Sequence, residues 1–341
     1  MHSSQRGDPY HEQFMARVPL LILGPTAGGK TRLAIDLARA LPGGGECVSA
    51  DSMQVYRSMD IGTAKPTPAE RDAVPHHLID IVDPDGEPFT VDQWLTRAEE
   101  AIASILERNR VPIIVGGTNL YVQALLYGLF SGPPVDQELR DHLRTRDDEE
   151  LHAHLARCDP EACDSIHPND RRRMIRAIEV FETSGMPISS LQQQWSAASP
   201  RMDVTVIGLD WPAESINRRI NRRVKSMMNG GLWKEVAGLH AEGKLGMQAR
   251  EGLGYRQVID AIEGRTSRDQ ATEQIRIRTR RYAKQQRTWL RRFRATLPRS
   301  LWIDATQGGH DKHVQQALDF ILPDFSMRDG ILHGGQESRA E

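Results

Sequence analysis

The chain has 341 residues, enough for one sizeable core plus a second unit and too many for a single small domain. Three cysteines, Cys47, Cys158 and Cys163, cannot make a disulfide framework and fit a reducing compartment, so a cytoplasmic protein is expected. The formal charge of −2 excludes an overall basic chain, and no stretch reaches the roughly 18 apolar residues of a membrane span, so a soluble protein with no membrane partner is expected.

Residues 1–17 and 325–341 are polar and aperiodic and are expected to be mobile tails. Residues 18–131 form the first part of a core. Its run Leu20, Leu21, Ile22, Leu23 suits a buried parallel strand (19–23) and ends in Gly24, Pro25, Thr26, Ala27, Gly28, Gly29, Lys30, Thr31. This G-x-x-x-x-G-K-T pattern opens a helix over 30–40, which is the context that makes it a phosphate-binding loop rather than a glycine-rich turn. Its N–H groups and the helix N-terminus bring partial positive charge to a phosphate, Lys30 adds a full charge, and Thr31 is placed to hold Mg2+.

A strand at 46–50 leads to a long loop with Asp51, followed by a strand at 77–82, a helix at 91–108, a strand at 111–115, and Gly116-Gly117-Thr118 opening another helix. Strands alternating with helices predict an α/β fold, a doubly wound parallel sheet with ligands at the carboxyl ends of its strands. The P-loop, Asp51 and Thr118 then converge on one cleft. Asp51 is either a proton acceptor or an Asx-turn or Mg2+ ligand without a base role. Thr118 is either a helix cap or a hydroxyl that orients Asp51 and meets a substrate amine. Asp60 and Lys65 order the same loop.

Residues 132–200 lose the strand pattern and read as a helical insertion. Within it His152, His154, Cys158, Cys163 and His167 match no standard zinc spacing and are expected as buried thiols and surface imidazoles. The core resumes over 201–324 with a strand at 204–211, helices at 213–242 and 268–293, and a strand at 300–306. Arg219, Arg222 and Arg223 lie along the first of these helices, where a solvated face is the plain reading and a guanidinium reaching a diphosphate is the functional one. On the later helix Arg276, Arg280, Lys284, Arg287 and Arg291 share one face and suit nucleic-acid phosphates. Ile275, Tyr282, Trp289 and Phe293 follow a separate stripe, which places Trp289 in the core rather than on a base-stacking platform.

With these residues in view, the chain resembles the bacterial tRNA dimethylallyltransferases, the tRNA isopentenyltransferase family, from about 18 to 320. The motifs GPTAGGKT, DSMQVYRSMDIGTAKP, PHHLIDIVDP, VGGTNLYVQALL, HPNDRRRMIRAIEV, GLGYRQ and KQQRTWLRRF occur in that order. Gly28 stands where relatives often carry serine or alanine.

The resemblance implies transfer of a dimethylallyl group from dimethylallyl diphosphate to N6 of adenine 37 in tRNAs that read codons beginning with U. It implies Asp51, Thr118 and Arg223 as catalytic residues, with Mg2+ on Thr31 and the diphosphate on residues 24–31. It further implies contact with the tRNA anticodon stem-loop through Asp51, Ser52, Met53, Gln54, Thr118, Arg140, the run Arg172, Arg173, Met174, Ile175 and Arg176, Arg250, Tyr255, and Lys284, Gln285, Gln286, Arg287 and Arg291. The insertion is then a tRNA-clasping domain, and the expected state is a monomer. Two rivals use the same loop: an adenylate isopentenyltransferase acting on free AMP, ADP or ATP, and a small-molecule kinase. The late basic stripe opposes the first, and the absence of a carboxylate at the end of 113–117 opposes the second.

Overall fold

The computed structural model describes residues 18–129, 132–133, 135–192 and 199–322. The expected tails and the junctions at 130–131, 134 and 193–198 lie outside the described residues. The chain divides into two compact units, one within Met1–Leu125 and Met202–Glu341, the other Leu126–Arg201.

The first unit is built on six parallel strands: β1 (Leu20–Leu23), β2 (Gly45–Ala50), β3 (His76–His77), β4 (Val111–Gly116), β5 (Thr205–Asp210) and β6 (Ser300–Asp304). Their order is β3-β2-β4-β1-β5-β6. The register pairs Leu20 with both Ile113 and Thr205, Ala50 with Gly116, and Leu23 with Gly208. The carboxyl ends of β1, β2, β4 and β5 are thereby brought to one edge of the sheet.

Apolar runs buried on both faces make the central strands. Leu20, Leu21, Ile22 and Leu23 are each at most 2% exposed, and burying such a side chain contributes about 1.5–3 kcal/mol. Helix α1 (Lys30–Ala40) buries Leu33, Ala34, Leu37 and Ala38, and joins α14 (Gly309–Ile321) in a cluster with Leu20, Ile22, Cys47, Ile113 and Ile207. Helix α3 (Val91–Glu107) packs on β2 and β4 and starts at a capping box, Thr90 with Gln93. Its buried Trp94 stacks on Tyr121 at 4.4 Å and donates Nε1–H to the Ser49 carbonyl at 2.9 Å.

The expected strand at 77–82 is only two residues long. Leu78 and Asp80 both take left-handed backbone angles, φ 63° and 56°, which end the ladder, and only an isolated bridge from Tyr56 to Val82 follows. The expected helix at 213–242 is two, α10 (Ala213–Asn229) and α11 (Leu232–Ala241), broken at Gly230 and Gly231, the latter with φ 105°. The remaining helices of this unit are α2 (Pro68–Ala73), α12 (Tyr255–Ile262) and α13 (Arg268–Thr296). α4 (Asn119–Tyr127) follows β4.

The second unit is helical among its described residues: α5 (Gln137–Thr145), α6 (Asp148–Cys158), α7 (Pro160–Ser165), α8 (Arg171–Ser184) and α9 (Ile188–Gln192). Its core joins Leu143, Leu151, Leu155, Met174, Ala177, Ile178 and Val180. Glu179 is fully buried and receives the Arg140 and Arg176 guanidinium groups and the Asp136 N–H. Cys158 and Cys163 are free and buried, with Cys163 Sγ 3.4 Å from His152 Nε2. Among the described residues no three His, Cys, Asp or Glu side chains stand together as metal ligands, and no helix is long and apolar enough to cross a membrane.

Candidate active site

The loops at the carboxyl edge of the sheet enclose a cleft of about 530 Å³. Residues 26–31 of the P-loop form one wall, Asp51 and Gln54 follow β2, Gly116 and Gly117 follow β4, and Arg219, Arg222 and Arg223 enter from α10. Tyr282 and Gln286 complete it from α13.

The P-loop keeps its shape through long-range contacts. Gly28 N–H and Lys30 Nζ both donate to the Pro25 carbonyl, at 3.0 Å each, and Ala27 holds a left-handed φ of 61°. Trp211 Nε1–H donates to the Gly28 carbonyl at 3.0 Å, and Arg219 Nε–H donates to that of Ala27 at 2.7 Å while its guanidinium lies 4.6 Å above the Trp211 ring. Gln286 accepts from Thr26 N–H and donates to the Gly117 carbonyl, both at 2.8 Å, and so joins the P-loop to the end of β4. Tyr282 donates to that same carbonyl at 2.8 Å.

The loops after β2 and β4 are fixed to each other as well. Thr118 Oγ1 accepts Ser52 N–H at 2.9 Å, and Thr118 N–H donates to the Ala50 carbonyl at 3.0 Å. The hydroxyl thus binds the neighbour of Asp51 and not its own helix, which answers the cap alternative. Asp51 Oδ1 accepts from Met53 and Gln54 N–H, so the Asx turn is present, and it occupies one carboxylate oxygen. Among the described residues Oδ2 has no hydrogen-bond partner. Glycine is required behind this wall at Gly116, where a Cβ would stand 2.1 Å from the Ala50 carbonyl oxygen; one on Gly117 would stand 2.5 Å from Gln286 Nε2 and displace that amide.

Charge in the cleft is unbalanced. Lys65 is committed to Asp60 and Asp80, and Glu70 to the Thr67 capping box, which leaves Lys30, Arg219, Arg222 and Arg223 with Asp51 as counter-charge. Desolvation pushes the Lys30 ammonium down to about 8, with Arg223 adding to the depression and Asp51 opposing it. Desolvation also lowers Arg223, against the pull of Asp51, and lowers Arg219, which Arg222 repels. A site that penalises its own cations is built to receive a multiply charged anion.

A family model described as IPP transferase matches residues 54–293, and one described as isopentenyl transferase matches 18–80. The tRNA dimethylallyltransferase of Syntrophobacter fumaroxidans is 49% identical over 291 residues, 84% of this chain and 83% of its own. The chain belongs to the IPP transferase family. The tRNA dimethylallyltransferase of Geobacillus kaustophilus is 44% identical over 302 residues, 86% of this chain and 93% of its own. Among solved structures, the tRNA isopentenylpyrophosphate transferase of Bacillus halodurans aligns with a TM-score of 0.66 at 36% identity, covering 93% of this chain and 99% of that one. A eukaryotic dimethylallyltransferase acting on tRNA aligns at 0.72 and 26%, covering 91% and 78%.

In this IPP transferase the structure brings Thr26–Thr31, Asp51, Gln54 and Arg223 together in the cleft, with Thr118 bonded behind it. Gly24 and Pro25 do not line it; they are buried beneath the loop. Several residues expected to touch RNA have their side chains inside the protein. Met174 and Ile175 belong to the insertion core, Tyr255 is 0% exposed with its hydroxyl on Glu235, and Gln286 is 1% exposed with both ends of its amide engaged. Gln54 is likewise engaged, accepting from Ser49 and donating to the Thr63 carbonyl. Ser52 and Met53 are half-buried beside Asp51. Lys284, Gln285 and Arg291 are exposed on α13, Arg287 is half-buried there, and Arg250 is exposed 3.5 Å from Glu263. In the second unit Arg172 and Arg173 are exposed, whereas Arg140 and Arg176 are held by Glu179.

Sequence reading missed Trp211, Tyr282 and the bracing role of Gln286. Tyr282 shares the stripe of Ile275 and Phe293 yet faces the cleft, and Trp289, expected in the core, is half-buried under Arg292. A polar residue four positions after a tyrosine, Tyr282 and Gln286, was the available signal, because i and i+4 share a helix face.

Proposed function

We infer that the protein is a tRNA dimethylallyltransferase that moves the prenyl group of dimethylallyl diphosphate onto N6 of adenine 37. The observation that carries this reading is the uncompensated cation set, Lys30, Arg219, Arg222 and Arg223, facing a carboxylate with one unpartnered oxygen in a single cleft. The cations suit a diphosphate, and the carboxylate suits an amine that must lose a proton.

The C1–O bond of the donor breaks as the N6–C1 bond forms, and the diphosphate carries the electron pair away. P-loop N–H groups, Lys30 and Arg223 stabilise the charge that develops on it. Asp51 Oδ2 accepts the N6 proton, which matters because the lone pair of an aromatic amine is drawn into the ring. Thr118, through Ser52 N–H, sets the position of the Asp51 loop. Thr31 has a hydroxyl on the cleft wall with no partner among the described residues, so it would fit Mg2+ beside a diphosphate, where the ion would neutralise phosphate charge. Adenine must leave the anticodon stack to reach the cleft, at a cost of a few kcal/mol that RNA contacts offset. The exposed cations of α13, Lys284 and Arg291, and those of the insertion, Arg172 and Arg173, suit phosphate contacts.

Labelled dimethylallyl diphosphate offered with unmodified tRNA and, separately, with free AMP or ATP tests the reading. Label at adenine 37 is expected. Label in the free nucleotide, or ATP hydrolysis with no label in either acceptor, overturns it.

A further inference from the structure

A second concavity of about 260 Å³ lies between α10 and α13, lined by Asn221, Arg222, Lys225, Glu273, Arg276 and Arg280. Four cations face one carboxylate. Arg222 and Lys225 stand three residues apart on α10, and Arg276 and Arg280 four apart on α13, so each pair shares a face. Arg276 is bonded to Glu273 at 2.9 Å, and Arg280 directs Nε and Nη2 at Asn221 Oδ1, at 3.1 and 2.6 Å. Arg222 and Lys225 have no hydrogen-bond or ion-pair partner among the described residues. Four cations against one carboxylate that Arg276 already engages leave Arg222 and Lys225 in mutual repulsion, which costs free energy, and an anion in the concavity removes that cost.

The position of the concavity says which anion. Arg222 lines both this pocket and the diphosphate cleft. Arg276 precedes Tyr282 by six residues on one helix, about 9 Å along the axis. A nucleotide whose base enters the cleft therefore keeps its neighbouring backbone within reach of the pocket.

We propose that this pocket is a seat for a backbone phosphate of the RNA, next to the nucleotide being prenylated. The seat rests on the tRNA reading above and adds to it a fixed point that sets the register of the strand. It contacts no base and carries no sequence preference.

The double variant Lys225→Gln, Arg276→Gln tests the seat, with the charge-preserving exchange Lys225→Arg, Arg276→Lys as its partner and a thermal melt on both. The neutral variant is expected to bind tRNA about tenfold more weakly at physiological salt, with a slope of log affinity against log salt shallower by about 1 to 2. Dimethylallyl diphosphate affinity stays at the starting value, and the charge-preserving variant keeps most of the tRNA affinity and the slope. Unchanged tRNA affinity and slope in a folded neutral variant overturn the proposal. So does an equal loss of donor affinity, which makes the pocket part of the donor site. So does loss of inorganic phosphate binding with tRNA binding intact, which assigns the seat to a free anion. Transfer to tRNA by the unaltered protein is run alongside: its absence sinks the tRNA reading itself, while its presence with an unaffected variant sinks the seat alone.

Discussion

The two units treat arginine in opposite ways. In the insertion several cations are matched: Arg140 and Arg176 meet on buried Glu179, Arg171 bonds Asp148, and Arg173 lies 3.4 Å from Asp170, while Arg172 stands exposed. In the cleft of the core Lys30, Arg219, Arg222 and Arg223 crowd together with one carboxylate, Asp51, to answer them. Matched charge holds a fold together and leaves little field outside it, whereas unmatched charge is a standing demand for a ligand.

The contrast is most sharply tested at its two carboxylates. Asp51→Ala is expected to lower kcat/KM for prenyl transfer by about 10²–10⁴-fold, the range of a lost general base, while tRNA affinity changes by no more than about twofold. Turnover at the starting level in steady-state assays would remove Asp51 from the chemistry. Glu179→Ala should do the reverse. It strands two guanidinium groups and the Asp136 N–H, and a loss of about 3 kcal/mol is expected in denaturant unfolding, the low end for a buried pair because the arginines are partly exposed. An unchanged midpoint would mean that the matched cluster contributes nothing to stability.

The smallest effect is a matter of pH. Lys30, lowered to about 8 before ligand binds, must be protonated to hold a diphosphate. Affinity for dimethylallyl diphosphate should therefore be full below pH 8 and fall above it, approaching about tenfold per pH unit, in titration calorimetry with proton uptake near pH 8. The donor's own phosphate ionisation, near 6, lies outside that window. A flat affinity between pH 7 and 9.5 would show that burial, with Arg223 beside it, does not depress Lys30.

Local pattern carried the convergence of the P-loop, Asp51 and Thr118, because each directly follows a strand and parallel strands end on the same edge. It did not carry the contacts that fix those loops. Thr26 and Gln286 are 260 positions apart and Gly117 and Tyr282 are 165 apart, and no periodicity within α13 distinguishes a tyrosine facing a carbonyl from one facing the core. The stripe rule separates cations from aromatics on that helix, but it does not show that Tyr282 on the aromatic stripe meets the Gly117 carbonyl. The shortened β3 failed for a different reason: PHHLIDIV has strand composition, yet Leu78 and Asp80 take left-handed angles and Asp80 is held by Lys65 and Arg71 from outside that segment.

Gly116 fixes the width of the cleft at its root. Since any side chain there would collide with the backbone of Ala50, the separation between the Asp51 loop and the Thr118 loop is set by bare main chain and offers no handle for adjustment. Adaptation of this enzyme to a bulkier donor must work elsewhere in the lining, where the half-buried Ile79 is a replaceable side chain. One boundary of the active site is thus rigid by architecture and another is open to redesign.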